Sequence, residues 1–147
     1  MEAYRQATCT ARAEFQSLVQ SMGQHGSAPL NKVDLVSDKK SRLAFADLMV
    51  SQADAIVKLL TSAGVPDVQG GQAGAAAMVA AYRSVEDAFV AARKDFADTG
   101  TGDRAAYLAA VKQLQKAVVD GANGLGAAAA REMSNIDPAF NAILHCP

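Results

Sequence analysis

The sequence has no tryptophan, few other aromatic residues and almost no excess of charge of either sign. Its 147 residues include three tyrosines, five phenylalanines and two cysteines, and 14 basic side chains nearly balance 15 acidic ones, for a formal net charge of -1. This balance excludes a nucleic-acid binder that depends on bulk positive charge, and it excludes an acidic solvating tail. The hydrophobic fraction of 50% is too high for a disordered chain and sufficient for a buried core.

Long apolar runs are also missing. The longest stretch without a charged residue or a histidine, 68–82, consists mostly of glycine, alanine and glutamine, so it is too short and too weakly apolar to cross a bilayer. The first residues, from Met1 to Tyr4, belong to helix-like sequence and lack the basic and apolar regions of a signal peptide. We therefore expect no transmembrane segment, and if the protein is exported we expect this chain to be the mature form.

Apolar residues recur at spacings of three and four in four segments, which is the pattern of helices that each bury one face. The most regular series comprises Ala75, Met78, Tyr82, Val85, Phe89, Ala92 and Phe96. The pattern predicts helices at about 2–23, 37–63, 72–99 and 103–133, and a short last helix at 138–145. Ser37, Asp103 and Asp137 are the expected N-caps, and Gly64 followed by Pro66 is a strong helix stop. No segment alternates apolar and polar residues as a strand would.

Four helices of similar length, each with one apolar face, bury those faces most simply against one another. The linkers are short for such helices, so consecutive helices should be antiparallel. The expected fold is all-α: an antiparallel up-down-up-down four-helix bundle with a short C-terminal helix, in a single domain over 1–147. This topology returns the end of the chain to the end of the bundle where the chain begins.

The two cysteines, Cys9 and Cys146, lie near opposite ends of the chain and match neither a CxxC pair nor a zinc or haem motif. They are either free buried thiols in a cytosolic protein or one disulfide in an exported protein. Their even number, their positions and the bundle topology favour the disulfide. Because Cys9 lies away from the apolar face of the first helix, the tail should fold over the outside of that helix, with contacts from Phe140, Ile143 and Leu144.

Residue patterns for catalysis or metal binding are missing. The sequence has no Glu-x-x-His or His-Glu-x-x-His motif, and the middles of the four apolar faces carry no aspartate, glutamate or histidine. His25 and His145 should lie at opposite ends of the bundle. We therefore predict no catalytic residue, no metal and no cofactor. In a reduced chain, however, His145 and Cys146 would lie near Cys9 and would offer a Cys–His dyad or a partial metal site.

Two weaker motifs favour structural interpretations. The segment from Ser37 to Lys40 matches the Ser-x-x-Lys pattern of some acyl enzymes, but a helix cap followed by solvated lysines explains it without catalysis. Gly121, Gly124 and Gly126 interrupt the fourth helix, and glycine is unfavourable in a helix interior. They predict a kink or a close helix contact.

The apolar faces carry tyrosines and many small residues. Tyr4, Tyr82 and Tyr107 are interpreted as core residues whose hydroxyls reach the edge of the bundle. The small inward residues are Ala11, Ala46, Ala53, Ala75, Ala92 and Ala129. They indicate either close helix packing, which is the simpler interpretation, or an apolar slot between helices that larger side chains hold apart.

These observations favour a small exported protein, secreted or in the periplasm or cell envelope, with a non-catalytic role. It would bind a protein partner, an envelope component or an apolar small molecule. One alternative is an extracytoplasmic sensor or ligand carrier with an apolar slot between helices, and another is a cytosolic thiol enzyme or redox protein that uses Cys9 and His145. A candidate binding loop lies at 24–34, with His25, Asn31 and Lys32, because loops on a rigid scaffold often carry function.

Overall fold

The structure, a computed structural model, describes residues 1–26, 30–31, 33–133 and 136–146, and the side chains of all of these except 25–26 and 126–133. Its helices are α1 (Glu2–Gly26), α2 (Leu35–Ser62), α3 (Gly71–Ala97), α4 (Arg104–Met133) and α5 (Pro138–Ile143). The four long helices pack against one another as an antiparallel bundle, and the described residues form no strand. The predicted all-α fold is confirmed.

The helix boundaries differ from the predicted ones by a few residues. The largest correction concerns α2, which begins at Leu35 because Asp34, and not Ser37, is its N-cap. A carboxylate oxygen of Asp34 accepts a hydrogen bond from the backbone N–H of Ser37 at 2.9 Å. In addition, α1 continues to Gly26, α3 ends at Ala97 and α5 ends at Ile143. The other two predicted N-caps hold, since the carboxylates at 103 and 137 accept backbone N–H groups of the helices that follow.

Within the described part of the chain, the apolar faces meet between the helices in three clusters of buried residues. The first cluster includes Leu18, Met49, Phe89, Phe96 and Val111. Each helix packs on the next along the chain, whereas α1 and α4 touch only sparsely over the described residues. Among the described residues, the seam between the first and fourth helices is therefore the most sparsely packed one between neighbouring helices.

Small residues allow the closest helix approaches. Helix α4 continues unbroken through Gly121 and Gly124, and a Cβ on Gly121 would lie 3.0 Å from the ring of Phe89. Of the two interpretations of these glycines, the close helix contact is therefore found at Gly121. The inward alanines whose side chains are described, at 11, 46, 53, 75 and 92, are all buried.

The C-terminal segment closes one end of the bundle. Phe140 of α5 is fully buried, with its ring centroid 5.8 Å from that of Tyr4 in α1, and it packs on Ala75 of α3. The tail therefore inserts between the starts of α1 and α3, whereas we predicted that it lies over the outside of α1. The hydroxyl of Tyr4 is also enclosed and has no hydrogen-bond partner, so it does not reach the edge of the bundle, and burial raises the pKa of Tyr4 to about 12.

The ring of Phe140 packs directly against Gly74, where a larger residue would not fit. This contact leads to a first prediction. A Cβ on Gly74 would lie 2.5 Å from the Phe140 ring, so Gly74→Ala should displace the ring and lower the free energy of unfolding by about 1–3 kcal/mol. Gly124→Ala is the matched control, since nothing lies within 4 Å of its added methyl group and alanine should stabilise the helix by about 1 kcal/mol. Urea unfolding followed by circular dichroism measures both, and equal stability of the two variants would contradict the packing of Phe140 on Gly74.

Candidate functional site

The seam between α1 and α4 contains a cleft of about 430 Å³, which we call the α1–α4 cleft. Phe15 and Gln16 of α1, Met78 and Tyr82 of α3 and Leu125 of α4 line it. The rings of Phe15 and Tyr82 meet edge to face, with centroids 5.8 Å apart. The walls are mostly apolar, and none of the five inward alanines whose side chains are described contributes to them.

The tail of the chain forms one end of this cleft. Leu144 and Cys146 both line it. Cys146 lies at disulfide-bonding distance from Cys9 of α1, with the two Cα atoms 5.5 Å apart. This cysteine pair, predicted from the sequence, therefore holds a wall of the cleft in place.

Two polar side chains of the α1–α4 cleft, Arg12 and Tyr82, have no hydrogen-bond or ion-pair partner among the residues that the structure describes. Arg12 of α1 is exposed and lines the cleft, and it forms no ion pair or hydrogen bond with any residue that the structure describes. The Tyr82 hydroxyl likewise donates no hydrogen bond within the described ranges. Burial raises the pKa of Tyr82, and the positive charge of Arg12 partly offsets this rise. The cleft thus combines mostly apolar walls with one cationic donor, Arg12, and neutral donors that include the Tyr82 hydroxyl and the Gln16 amide.

A second groove runs between α2 and α3, which we call the α2–α3 groove. It measures about 690 Å³, and its lining includes Thr61, Val79, Arg83, Ser84 and Asp87. It is wider than the α1–α4 cleft, and both signs of charge lie along it. This mixed, open surface is less suited to enclosing an apolar molecule.

The opposite end of the bundle contains a buried polar cluster around Asp38 of α2. Its carboxylate accepts hydrogen bonds from Arg42 Nε at 2.7 Å, from the Tyr107 hydroxyl at 2.7 Å and from the backbone N–H of Asn31 at 3.0 Å. Burial alone would raise the pKa of Asp38, but these hydrogen bonds outweigh it and hold the pKa below its ordinary value of 3.8. Burial and the bond to Asp38 raise the pKa of Tyr107.

This cluster corrects two predictions. The hydroxyl of Tyr107 points into the protein and not to the edge of the bundle. The lysines after Ser37 are not all solvated, because Lys39 Nζ donates hydrogen bonds to the backbone carbonyls of Ala97 and Thr99. Asp38 and Lys39 together tie the start of α2 to the end of α3 and the start of α4, so their role is structural.

The residues of the candidate binding loop do not form one surface that the structure describes. His25 lies in the last turn of α1, and not in a loop, and its side chain is outside the described residues, as is all of Lys32. Asn31 uses its side-chain oxygen to accept the backbone N–H groups of Val33 and Asp34. Asn31 therefore shapes the turn into α2, and a binding role for this loop stays a prediction.

The described part of the chain shows no arrangement for metal or thiol chemistry. Neither Cys9 nor Cys146 is a free thiol, and His145 is exposed beside the cysteine pair. Within the described ranges no three histidine, cysteine, aspartate or glutamate side chains come close enough together to hold a metal ion. The same residues contain no helix with the length and hydropathy needed to span a membrane.

Arg12, a charged residue that lines the α1–α4 cleft, was not identified by the sequence analysis. Arg12 flanks the apolar face of α1, one residue after Ala11 and three before Phe15. The spacing shows that Arg12 borders this face, but it does not show that α4 leaves the border open. Comparison with known proteins adds nothing to this site, because no family model, curated protein or solved structure matches the chain significantly.

Proposed function

We propose that this chain is a single-domain, non-catalytic binding protein of the extracytoplasmic space, and that it holds an apolar small molecule in the α1–α4 cleft. The observation that supports this most is the cleft itself. Its volume of about 430 Å³ falls in the range of about 300–1,000 Å³ that is usual for small-molecule sites, which are likewise apolar with a few polar groups.

The cysteine pair supports the proposed location. Disulfides persist in oxidising compartments and are rare in the cytosol. Because Cys146 also lines the cleft, the pair would keep the binding wall in place without a partner protein. A rigid, preformed site binds with a smaller entropic loss than one that must close around its ligand.

Two adjacent residues of α3 provide the test, since Met78 lines the α1–α4 cleft and Val79 lines the α2–α3 groove. Both are half-buried. We expect the neutral fluorescent probe N-phenylnaphthylamine to bind the unmodified protein saturably at one site. Met78→Trp should fill the cleft and abolish this binding, whereas Val79→Trp, the same change in the neighbouring groove, should leave it unchanged.

Circular dichroism of both variants establishes that they are folded. Fluorescence titration then measures the affinity and stoichiometry of the probe. Absence of saturable binding to the unmodified protein, or equal binding by the two folded variants, would contradict the proposed function.

A further inference from the structure

We propose that the ligand of the α1–α4 cleft is an anionic single-chain amphiphile, such as a fatty acid, whose head group binds Arg12 and the Tyr82 hydroxyl. This inference rests on the proposed function and specifies its ligand. It is supported by two hydrogen-bond donors, Arg12 and Tyr82, that no described residue engages and that line an apolar cleft with room for one chain.

The head-group site follows from the charge at the cleft. Arg12 of α1 and Tyr82 of α3 both line it, so both side chains border the space in which a head group would lie. A guanidinium offers a planar pair of N–H donors that matches a carboxylate, and a phenol adds a further donor. No acidic side chain that the structure describes lines the α1–α4 cleft, so an anion there meets no opposing charge from these lining residues.

Neutral and cationic head groups are less well matched to this site. A cation would be repelled by Arg12, and a neutral head group would leave the guanidinium without a charged partner. Arg12 differs in this respect from other basic residues of the chain, such as Arg5, Arg42 and Arg93, which already pair with carboxylates of the protein. No described residue pairs with the Arg12 guanidinium, so it is available to a ligand.

The tail site follows from the remaining walls. Met78, Ala81 and Leu125 present apolar surface beside the head-group site, and Leu144 closes one end. The volume of about 430 Å³ is near the lower limit of small-molecule pockets, which reach about 1,000 Å³. This space is appropriate for one alkyl chain and too small for a lipid with two.

The experiment compares three probes with the same alkyl chain: dodecanoate, dodecanol and dodecyltrimethylammonium. The affinity of each probe is measured from its ability to displace N-phenylnaphthylamine from the protein, at probe concentrations below the aggregation threshold. We expect dodecanoate to bind most tightly and the cationic probe least tightly. Arg12→Gln should weaken dodecanoate binding by about tenfold, the effect of one lost charge-assisted hydrogen bond, and leave dodecanol binding unchanged.

Arg83→Gln is the matched control, because Arg83 is also an exposed arginine of a groove but belongs to the α2–α3 groove. It should bind all three probes as the unmodified protein does. Equal affinity for dodecanoate and dodecanol, or an equal effect of Arg12→Gln on both, would overturn the anionic head group while leaving the proposed function intact. If no probe binds and N-phenylnaphthylamine also fails to bind, the proposed function itself is wrong.

Discussion

Replacing both Cys9 and Cys146 with serine should lower the free energy of unfolding by as much as about 5 kcal/mol. The pair joins residues 137 positions apart, and closing a loop of that size removes about 5 kcal/mol of chain entropy from the unfolded state, before any native strain is subtracted. A typical domain is stable by only about 5–15 kcal/mol. Thermal unfolding followed by circular dichroism should therefore show a fall in Tm on the order of 10–20 °C.

Single variants show whether the effect comes from the bond. Cys9→Ser and Cys146→Ser should each lose as much stability as the double variant, because either change removes the same crosslink. In the unmodified protein, alkylation under denaturing conditions without a reductant should label neither cysteine, and after reduction it should label both. Two labelled thiols without reduction would contradict the disulfide, would support the Cys9–His145 alternative and would remove the main argument for export.

Loss of the disulfide should also affect the α1–α4 cleft. Leu144 and Cys146 form one of its ends, and without the bond only the packing of α5, chiefly through Phe140, holds this part of the chain. The double serine variant should therefore bind N-phenylnaphthylamine more weakly even at temperatures where circular dichroism shows an intact bundle. In this protein, stability and ligand binding would depend on the same covalent bond.

The cysteine pair was predictable because it depends on topology alone. Helix periodicity gives four helices, and their alternating directions bring Cys146 towards Cys9 whatever the details of packing. The seat of Phe140 was not predictable in the same way, because it depends on the missing side chain of Gly74. Gly74 lies in an alanine-rich segment. Periodicity there does not show which small residue leaves space for a side chain from another helix.

The α1–α4 cleft shows a similar limit. Met78 and Tyr82 were identified as members of one apolar face, and both line the cleft together with Phe15 and Leu125. Whether these side chains pack against one another or leave a cleft depends on the distance between α1 and α4. A difference of a few ångströms in that distance is enough to change the outcome. Periodicity fixes which face points inward but not how closely two non-consecutive helices approach.

The buried cluster around Asp38 had a signal that was overlooked. Ala46 belongs to the apolar face of α2, and steps of four residues back along the helix lead to Arg42 and then to Asp38. The two charged residues thus continue the inward-facing line of α2, at a spacing that allows an ion pair. Two oppositely charged residues that continue the buried face of a helix predict a buried ion pair. In the sequence analysis this segment was instead interpreted as a helix cap at Ser37.

Removing the Asp38 charge should have the second large effect. The Asp38 and Arg42 side chains are only 7% and 11% exposed, so Asp38→Asn leaves a mostly buried guanidinium without its carboxylate. Breaking a buried pair in this way destabilises proteins by about 3–5 kcal/mol. Asp54→Asn is the control on the same helix, because Asp54 pairs with Lys58 at the same spacing but in solvent, where ion pairs contribute little. Urea unfolding at neutral pH should show a large loss for Asp38→Asn and almost none for Asp54→Asn.

The dependence on pH tests the same cluster without relying on the shape of the asparagine side chain. The pKa of Asp38 in the folded protein is below its ordinary value of 3.8, so the unfolded chain binds this proton more readily than the folded protein does. The stability that ionised Asp38 contributes is therefore complete above about pH 4 to 5 and declines as the pH falls through the folded-state pKa. The difference in unfolding free energy between the unmodified protein and Asp38→Asn should be constant near neutral pH and shrink in acid. If it stays constant into acid, or if the two proteins are equally stable at neutral pH, Asp38 does not act as a buried anion that holds α2 to α4.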